Sequence, residues 1–186
     1  MGRVVLFSPI GGNDPVSSAT EYDGSMLQIC RYYRPDEVYM YLSKEMVERQ
    51  ERDDRYRYCV EQLGKLLNHK FNVHCIERPD LEDVQLYDYY YDEFKKILGD
   101  ITAGMGEEDT LLLNVASGTP AMKSALLVLA VISNNQMKPI QVVTPSRSIN
   151  EHKGKDKDYD PEYYWAVNRD NEEGAETVSY THLRAH

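Results

Sequence analysis

The sequence predicts an α/β domain with three layers (α/β/α), in which helices cover both faces of a mostly parallel sheet of about five to six strands. Short apolar runs alternate with longer segments of helical apolar spacing, and this alternation is typical of right-handed βαβ units. The runs are apolar at successive positions, as expected for strands that are buried on both faces. The expected architecture is therefore Rossmann-like.

The predicted elements follow one another at regular intervals along the chain. Strands are expected at residues 4–7, 38–42, 71–76, 110–115 and 140–144, and helices at 25–33, 44–68, 94–101 and 120–132. The segment 44–68 is interpreted as one long helix whose middle, rich in Glu and Arg, faces solvent. In such a sheet the first and fourth strands are expected to be neighbours, and ligands bind beyond the carboxyl ends of the strands.

The domain is expected to span residues 1–150, and the character of the sequence changes after it. Residues 151–160 are almost wholly charged and residues 171–176 are acidic, with an aromatic stretch at 163–167 between them. We expect 151–177 to be a charged linker toward a further C-terminal domain, with 163–167 as an edge strand or hairpin arm. The tail, 178–186, is similar to the conceptual translation of a transposase adapter used in sequencing libraries. We expect it to be non-native.

Composition excludes several classes of function. The chain carries 31 Asp and Glu against 21 Lys and Arg, a net charge of −10. A general nucleic-acid binder (DNA included) or a membrane-surface binder needs basic patches instead. The longest apolar stretch, 125–132, is far shorter than the roughly 20 residues that span a bilayer. The three cysteines and five histidines show no metal-ligand spacing, which predicts free thiols, a cytoplasmic location and no metal site.

The strongest functional signal lies where the fourth predicted strand passes into the next helix. Gly118 permits a tight turn there, and Pro120 suits the first helical position, which needs no N–H. The N–H groups near Ala121 and Met122 would then be available to bind phosphate or another polar ligand. An ordinary capped helix explains these residues equally well, so both interpretations stay open.

A second loop, residues 8–15, follows the first predicted strand and is expected to meet the first loop at the same sheet edge. It contains two glycines and two prolines but matches neither GxGxxG nor the Walker pattern, so dinucleotide and Walker-type sites lack support. Asp23 opens the next helix, where an aspartate is more often an N-cap than a ligand contact.

Taken together, the motifs at residues 8–15, 23–26, 38–42 and 116–123 resemble the N-terminal CARF domain of the type III-A CRISPR-associated ribonucleases of the Csm series. In that family a CARF sensor precedes a HEPN nuclease. The resemblance covers roughly residues 3–145. It implies a homodimer whose two-fold axis passes through the ligand site. It also implies a cyclic oligoadenylate ligand, either cyclic tetra- or hexa-adenylate, without any other cofactor.

The resemblance also assigns the ligand-binding residues. They are Ser8, Pro9, Ile10, Gly11, Asn13 and Asp14 in the first loop, and Ser117, Gly118, Thr119, Met122 and Lys123 in the second. Some CARF domains cleave their ligand slowly, and Thr119, Ser117 and Asn13 would position or stabilise that step. No general base is evident, and whether the chain is itself an enzyme stays open.

The family's single-strand-RNA endoribonuclease activity belongs to the HEPN domain, whose motif is Arg-x4–6-His on a helix. One such string is present, between Arg147 and His152, but it lies in a polar segment without an apolar stripe, and we interpret it as a coincidence. RNA would then be bound only by a domain missing from this chain.

Two alternatives remain open at this point. A Rossmann-like enzyme acting on a nucleotide or a sugar phosphate could use the same two loops, although it would normally place His, Glu or Lys at a strand end. Here Ser, Thr, Asn and Gly dominate those positions. The second alternative is a CARF sensor joined to a winged-helix transcription factor, which the downstream gene sequence would reveal.

Overall fold

The computed structural model describes residues 2–82, 85–133, 137–143, 158–170 and 176–179. Its strands are β1 (Val4–Pro9), β2 (Glu37–Leu42), β3 (Asn72–Glu77), β4 (Thr110–Asn114), β5 (Met137–Val143) and β6 (Glu176–Ser179). Its helices are α1 (Ser25–Tyr33), α2 (Lys44–Asp53), α3 (Arg55–Leu67), α4 (Tyr87–Ala103), α5 (Pro120–Ile132) and α6 (Pro161–Asn168).

The strands form one sheet in the order β3-β2-β1-β4-β5-β6. The first five strands are parallel, and β6 is antiparallel to β5. In the centre, Leu6 of β1 is paired with Val38 of β2 on one side and with Leu112 of β4 on the other. The chain therefore turns to opposite sides of the sheet after β1 and after β4, which opens a crevice at their carboxyl ends. The predicted α/β architecture is confirmed.

Two hydrophobic cores explain why the strands are apolar at successive positions. In β1, Leu6 points into a core shared with α1, α2, α3 and α6, while Val5 and Phe7 point into a core shared with α4 and α5. Successive side chains of a strand point to opposite faces, so both faces of the sheet are covered. The burial of both faces confirms the prediction of three layers.

The prediction of one long helix at 44–68 was wrong. The helix ends at Asp53, and Asp54 adopts a left-handed conformation with φ 58° before α3 begins. Aspartate tolerates this conformation better than most residues. The Asp53 carboxylate accepts hydrogen bonds from Arg55 Nε (2.9 Å) and Nη2 (2.7 Å), and Gln50 accepts one from the Tyr56 N–H (3.0 Å). Side chains thus replace the backbone bonds of a continuous helix.

The prediction of a strand at 163–167 was also wrong, because these residues lie in α6. Asp160 caps this helix by accepting a hydrogen bond from the Glu162 N–H, and Pro161 occupies its first position. Tyr164 and Trp165 are buried in the core beside α1 and α3. An edge strand does exist farther on, as β6, which includes the first two residues of 178–186. Residues 180–186 and the Arg147 to His152 string lie outside the described residues.

Candidate ligand-binding site

A cleft of about 430 Å³ opens at the carboxyl edge of the sheet. One wall comes from the loops that follow β1 and β4. The opposite wall comes from the residues that follow β2 and β3 and from Tyr90 of α4. The position agrees with the general rule for parallel sheets, because the cleft lies where the strand order reverses.

Asp14 joins the β1 loop to the two elements beside it. Its Oδ2 accepts hydrogen bonds from the Gly11 N–H (2.9 Å) and from Ser117 Oγ (2.8 Å). Its Oδ1 accepts a third from the Met26 N–H at the start of α1 (3.2 Å). The side chain is buried, and burial raises the pKa of Asp14 although these three hydrogen bonds each lower it. Asp14 therefore organises the loops rather than facing the cleft.

Glycine is required where the two loops touch. Gly118 has φ +96°, a conformation that L side chains rarely adopt, and a Cβ there would lie 2.8 Å from Met122 Sδ. A Cβ on Gly11 would lie 2.7 Å from Ser117 Oγ and 3.3 Å from the Gly118 nitrogen. The backbones of the two loops can approach this closely only because neither residue has a side chain.

Asn114 is a site residue that the sequence did not reveal as one. It is fully buried at the end of β4, where its Nδ2 donates to Ser8 Oγ and to Ser25 Oγ, both at 2.9 Å. Its Oδ1 accepts from the Ala116 N–H (2.9 Å). One side chain thus ties β1, α1 and the β4 loop together. The sequence did contain an indication, because Asn114 is the one amide at the end of an otherwise apolar strand. A buried polar side chain needs hydrogen-bond partners, so it can be expected to join neighbouring segments.

The start of α5 is capped from within. Thr119 precedes the helix, and its Oγ1 accepts a hydrogen bond from the Met122 N–H (3.3 Å). We expected both the Ala121 and Met122 N–H groups to be available to a ligand, and the second of these is already used by the cap. The cap also places Thr119 and Met122 on the wall of the cleft.

The predicted site residues fall into three groups. Ile10, Gly11, Gly118, Thr119 and Met122 line the cleft. Four others are buried and do not line the cleft: Ser8, Pro9, Asp14 and Ser117. The remaining two, Asn13 and Lys123, lie outside the lining; Asn13 is exposed, and Lys123 is half-buried on α5. For ring cleavage, Thr119 and Asn13 are the accessible candidates, while the Ser117 hydroxyl is donated to Asp14.

The opposite wall carries charged residues that sequence reasoning missed. Ser43, Lys44, Glu45, Met46 and Glu48 follow β2, and Leu81 and Glu82 follow β3. The backbone N–H of Lys44 donates to the Leu81 carbonyl (3.0 Å), and its side-chain Nζ donates to Glu82 Oε1 (3.0 Å). These two hydrogen bonds join the segment after β2 to the segment after β3. The available signal was the position of Ser43 and Lys44 directly after the strand predicted at 38–42. Neutral side chains therefore dominate only the wall formed by β1 and β4.

A second polar cluster fixes α4, which supplies Tyr90 to the cleft. Glu93 accepts hydrogen bonds from Tyr41 Oη (3.0 Å), Tyr89 Oη (2.8 Å) and Arg78 Nη2 (2.8 Å). Burial raises the pKa of Glu93, but the three donors outweigh it and hold the pKa below its ordinary value. Tyr90 is itself buried against Phe94, so this part of α4 packs into the core beneath the cleft.

Two further properties of the described residues bear on function. In the part of the chain with defined positions, no three His, Cys, Asp or Glu side chains are grouped so that they could hold a metal ion. Within the same residues, no helix combines the length and the apolar character needed to cross a membrane.

Comparisons with known proteins agree with this geometry. A family model described as the Cas_Csm6 CARF domain matches residues 72–178. The Csm6 endoribonuclease of Mycobacterium tuberculosis is 33% identical over 174 residues, which cover 92% of this chain and 40% of that protein. The Csm6′ endoribonuclease of Streptococcus thermophilus is 30% identical, over 90% of this chain and 41% of that protein.

A solved structure shares the fold along almost the whole chain. Enterococcus italicus Csm6 bound to cyclic hexa-2′-fluoro-hexa-dAMP superposes with a TM-score of 0.71 at 25% identity, covering 98% of this chain and 43% of that one. The chain thus spans about two fifths of the length of the proteins it matches. By its sequence, the chain belongs to the Csm6 CARF domain family.

Proposed function

We propose that this chain binds a cyclic oligoadenylate in the cleft and acts in the cytoplasm as the sensor of a type III CRISPR ribonuclease. The observation that carries the proposal is the pair of interlocked loops at the point where the strand order reverses, in a chain similar over 98% of its length to a Csm6 solved with a cyclic hexanucleotide. RNA cleavage would belong to the rest of a longer protein.

The chemistry of the cleft suits a nucleotide ligand. The wall formed by the β1 and β4 loops offers backbone groups and the Thr119 hydroxyl, while the largely buried side chains of Ile10, Met122 and Tyr90 form the apolar part of the lining. Binding pockets generally combine apolar walls with a few polar groups that fix orientation. At about 430 Å³, the cleft lies at the small end of the range for such pockets. One subunit therefore encloses only part of a ring of adenylates.

A second copy of this chain would complete the site. Helix α5 begins in the cleft at Thr119 and Met122 and then presents Val128, Val131 and Ile132 to solvent, with exposures of 39%, 50% and 58%. Apolar side chains exposed together on one helix are typical of a protein interface. A ring with an even number of adenylates has the symmetry of a two-fold dimer, in which each subunit contributes the same loops. We therefore propose a homodimer with α5 at its interface.

Calorimetry with separate rings tests the proposal. Cyclic hexa-adenylate and cyclic tetra-adenylate are titrated separately into the protein, with linear hexa-adenylate as the control. We expect saturation at one ring per two chains. We expect cyclic hexa-adenylate to bind more tightly than cyclic tetra-adenylate, because the similar Csm6 was solved with a cyclic ligand of six nucleotides. Absence of heat with every ring, from protein shown to be folded, would contradict the sensor function.

The charged wall of the cleft favours one alternative, an enzyme acting on a nucleotide or sugar phosphate, because Lys44, Glu45 and Glu48 could serve acid–base chemistry there. Absence of binding to every ring would favour this alternative, and chromatography of the titrated mixtures tests ring cleavage. We expect the rings to be recovered intact, because the Ser117 hydroxyl is donated to a buried carboxylate. Accumulation of linear products that stops when Thr119 or Asn13 is replaced by Ala would assign ring cleavage to this site.

A further inference from the structure

Helix α6 is attached to the ligand loops without lining the cleft. Among the described residues, the cleft is lined by the segments that follow β1 to β4 and by α4 and α5. Besides packing on α1 and α3, the α6 segment contacts residues 15–24 behind the β1 loop, which we call the doubled-back loop. In that loop Val16 and Asp23 form an antiparallel bridge, and the Gly24 N–H donates to the Pro15 carbonyl (2.8 Å).

The doubled-back loop is in direct contact with the residues that shape the cleft. A Cβ on Gly24 would lie 2.5 Å from the Asn13 carbonyl oxygen and 2.5 Å from Asp14 Oδ1. Ser17 Oγ donates to Asn13 Oδ1 (3.5 Å), and Asp14 accepts the Met26 N–H just beyond the loop. A shift of the doubled-back loop therefore shifts Asn13 and Asp14 as well.

Two tyrosine hydroxyl groups attach the α6 segment to this loop. Tyr159, just before the helix, donates to the Val16 carbonyl (2.9 Å), and Tyr163, within it, donates to Glu21 Oε1 (3.1 Å). Tyr159 also stacks on Tyr164 and lies under the guanidinium of Arg55, 4.1 Å from the ring centre. The start of α6 is therefore held against the loop by side chains of the α6 segment itself.

Arg31 attaches the other end of α6. Its Nε donates to Asp23 Oδ2 of the doubled-back loop (2.5 Å), while Nη2 and Nη1 donate to the carbonyls of Asn168 (2.6 Å) and Arg169 (3.1 Å). The carbonyls at a helix end have no partner within the helix. The planar guanidinium satisfies two of them and the carboxylate at once, which the ammonium of a lysine cannot do.

We propose that α6 is coupled to the ligand site, so that ligand in the cleft and the docked position of α6 stabilise each other through the doubled-back loop and the Asp23–Arg31 ion pair. The inference rests on the proposed function and extends it by naming the output of the sensor. Coupling of this kind is reciprocal: if α6 holds the loop in the binding geometry, a ligand that holds the loop also holds α6. Within the described residues α6 is the last helix, which suits it to pass the signal along the chain.

Hydrogen exchange on the unchanged protein and two variants tests the coupling. The double variant Tyr159→Phe/Tyr163→Phe removes only the two hydroxyl groups that attach α6 to the loop. Tyr91→Phe on α4 is the matched control, since α4 packs on the opposite face of the sheet. Without ligand, we expect faster exchange at residues 15–24 in the double variant and unchanged exchange in the control. With cyclic hexa-adenylate, we expect slower exchange at residues 158–170 of the unchanged protein.

The affinity of the double variant for the ring should fall by about three- to tenfold. This is the loss expected when a fraction of the free energy of the two tyrosine hydrogen bonds is coupled to ring binding. Arg31→Lys, which keeps the charge opposite Asp23, should lower the affinity in the same direction. Ring binding with no change of exchange at residues 158–170 would overturn the coupling and leave the sensor function intact. Failure of any ring to bind would overturn the proposed function, and this inference with it.

Discussion

Ser117 donates its hydroxyl hydrogen to Asp14 over a distance of 2.8 Å, and this bond joins the loop after β1 to the loop after β4 where both residues are buried. Two residues that the sequence marks as ligand contacts thus contact each other. The cleft surface in front of them includes Gly11, Gly118 and Thr119. The shape of that surface depends on the bond behind it.

Replacing Asp14 by Asn should weaken both the fold and ligand binding. An amide has one acceptor oxygen, so it cannot accept from Gly11, Ser117 and Met26 together, and a buried N–H left without an acceptor costs about 1–3 kcal/mol. Chemical denaturation measures the first effect and calorimetry with the ring measures the second. Asp36→Asn is the control, since Asp36 also accepts a backbone N–H (2.9 Å, from Val4) but lies before β2, at the other edge of the sheet. Equal ring affinities in the two variants would contradict the role of Asp14.

Replacing Gly118 by Ala should distort the cleft. Alanine at this position would have to adopt φ +96°, and its Cβ would lie 2.8 Å from Met122 Sδ. We therefore expect a loss of about 1–2 kcal/mol in the free energy of unfolding. The control is Gly99→Ala in α4, where a Cβ meets nothing within 4 Å. That change should stabilise the protein by about 0.5–1 kcal/mol through helix propensity. Thermal unfolding and ring titration of both variants measure the contrast, and equal behaviour would show that the turn tolerates a side chain.

The pH dependence of stability should reveal Asp23. Burial raises the pKa of its carboxyl from 3.8 to about 6, although the Arg31 guanidinium lowers it. The folded protein then binds this proton more tightly than the unfolded chain does. The stability that the protonated form contributes is therefore complete below about pH 4 and is lost as the pH rises to about 6.

The Asp23→Asn variant lacks this titration. Its free energy of unfolding, relative to that of the unchanged protein, should rise between about pH 4 and pH 6, by about 3 kcal/mol at most. Denaturant unfolding of both proteins across this range gives the difference directly, and contributions from other groups such as Asp14 cancel. A difference independent of pH would contradict the raised pKa.

A charge on the exposed face of α5 should break the proposed dimer. Val131→Glu places a carboxylate where a second copy is proposed to pack, and we expect the dimer to weaken by at least about tenfold, with loss of ring binding in parallel. Sedimentation at several concentrations measures the association. Leu66→Glu on α3, at a site that is 36% exposed, adds the same charge away from α5. If both variants dimerise like the unchanged protein, α5 is not the interface.

Ring binding should depend only weakly on salt. The cleft is lined by three glutamates and one lysine, and Lys44 is paired with Glu82. Proteins that bind phosphates through many Lys and Arg side chains lose a factor of about 10³–10⁵ in affinity between about 50 and 200 mM salt. We expect a loss below about tenfold here over the same range. A steep decline would mean that cations outside the described cleft carry the binding.

Some predictions from sequence succeeded because they depend on local rules. The apolar runs of β1 and β4 predicted buried parallel strands, and Gly118 with Pro120 predicted a tight turn into a helix. The break between α2 and α3 was not predicted, since it depends on Asp54 adopting a left-handed conformation that helical apolar spacing does not reveal. Helix α6 was not predicted either, because its aromatic residues are typical of a strand. Asp160 and Pro161 are residues that commonly start a helix, and they could have indicated it.

The sequence by itself determined the fold class, the neighbouring positions of β1 and β4, and the two loops that flank the cleft, because apolar periodicity and turn chemistry act over a few residues. Only the tertiary structure decided which loop residues face the cleft. Ser8, Asp14 and Ser117 turn inward because buried polar groups must find partners, and those partners, including Asn114, come from distant parts of the chain. The attachment of α6 by Arg31 has the same origin, since its three acceptors lie on segments that only folding brings together.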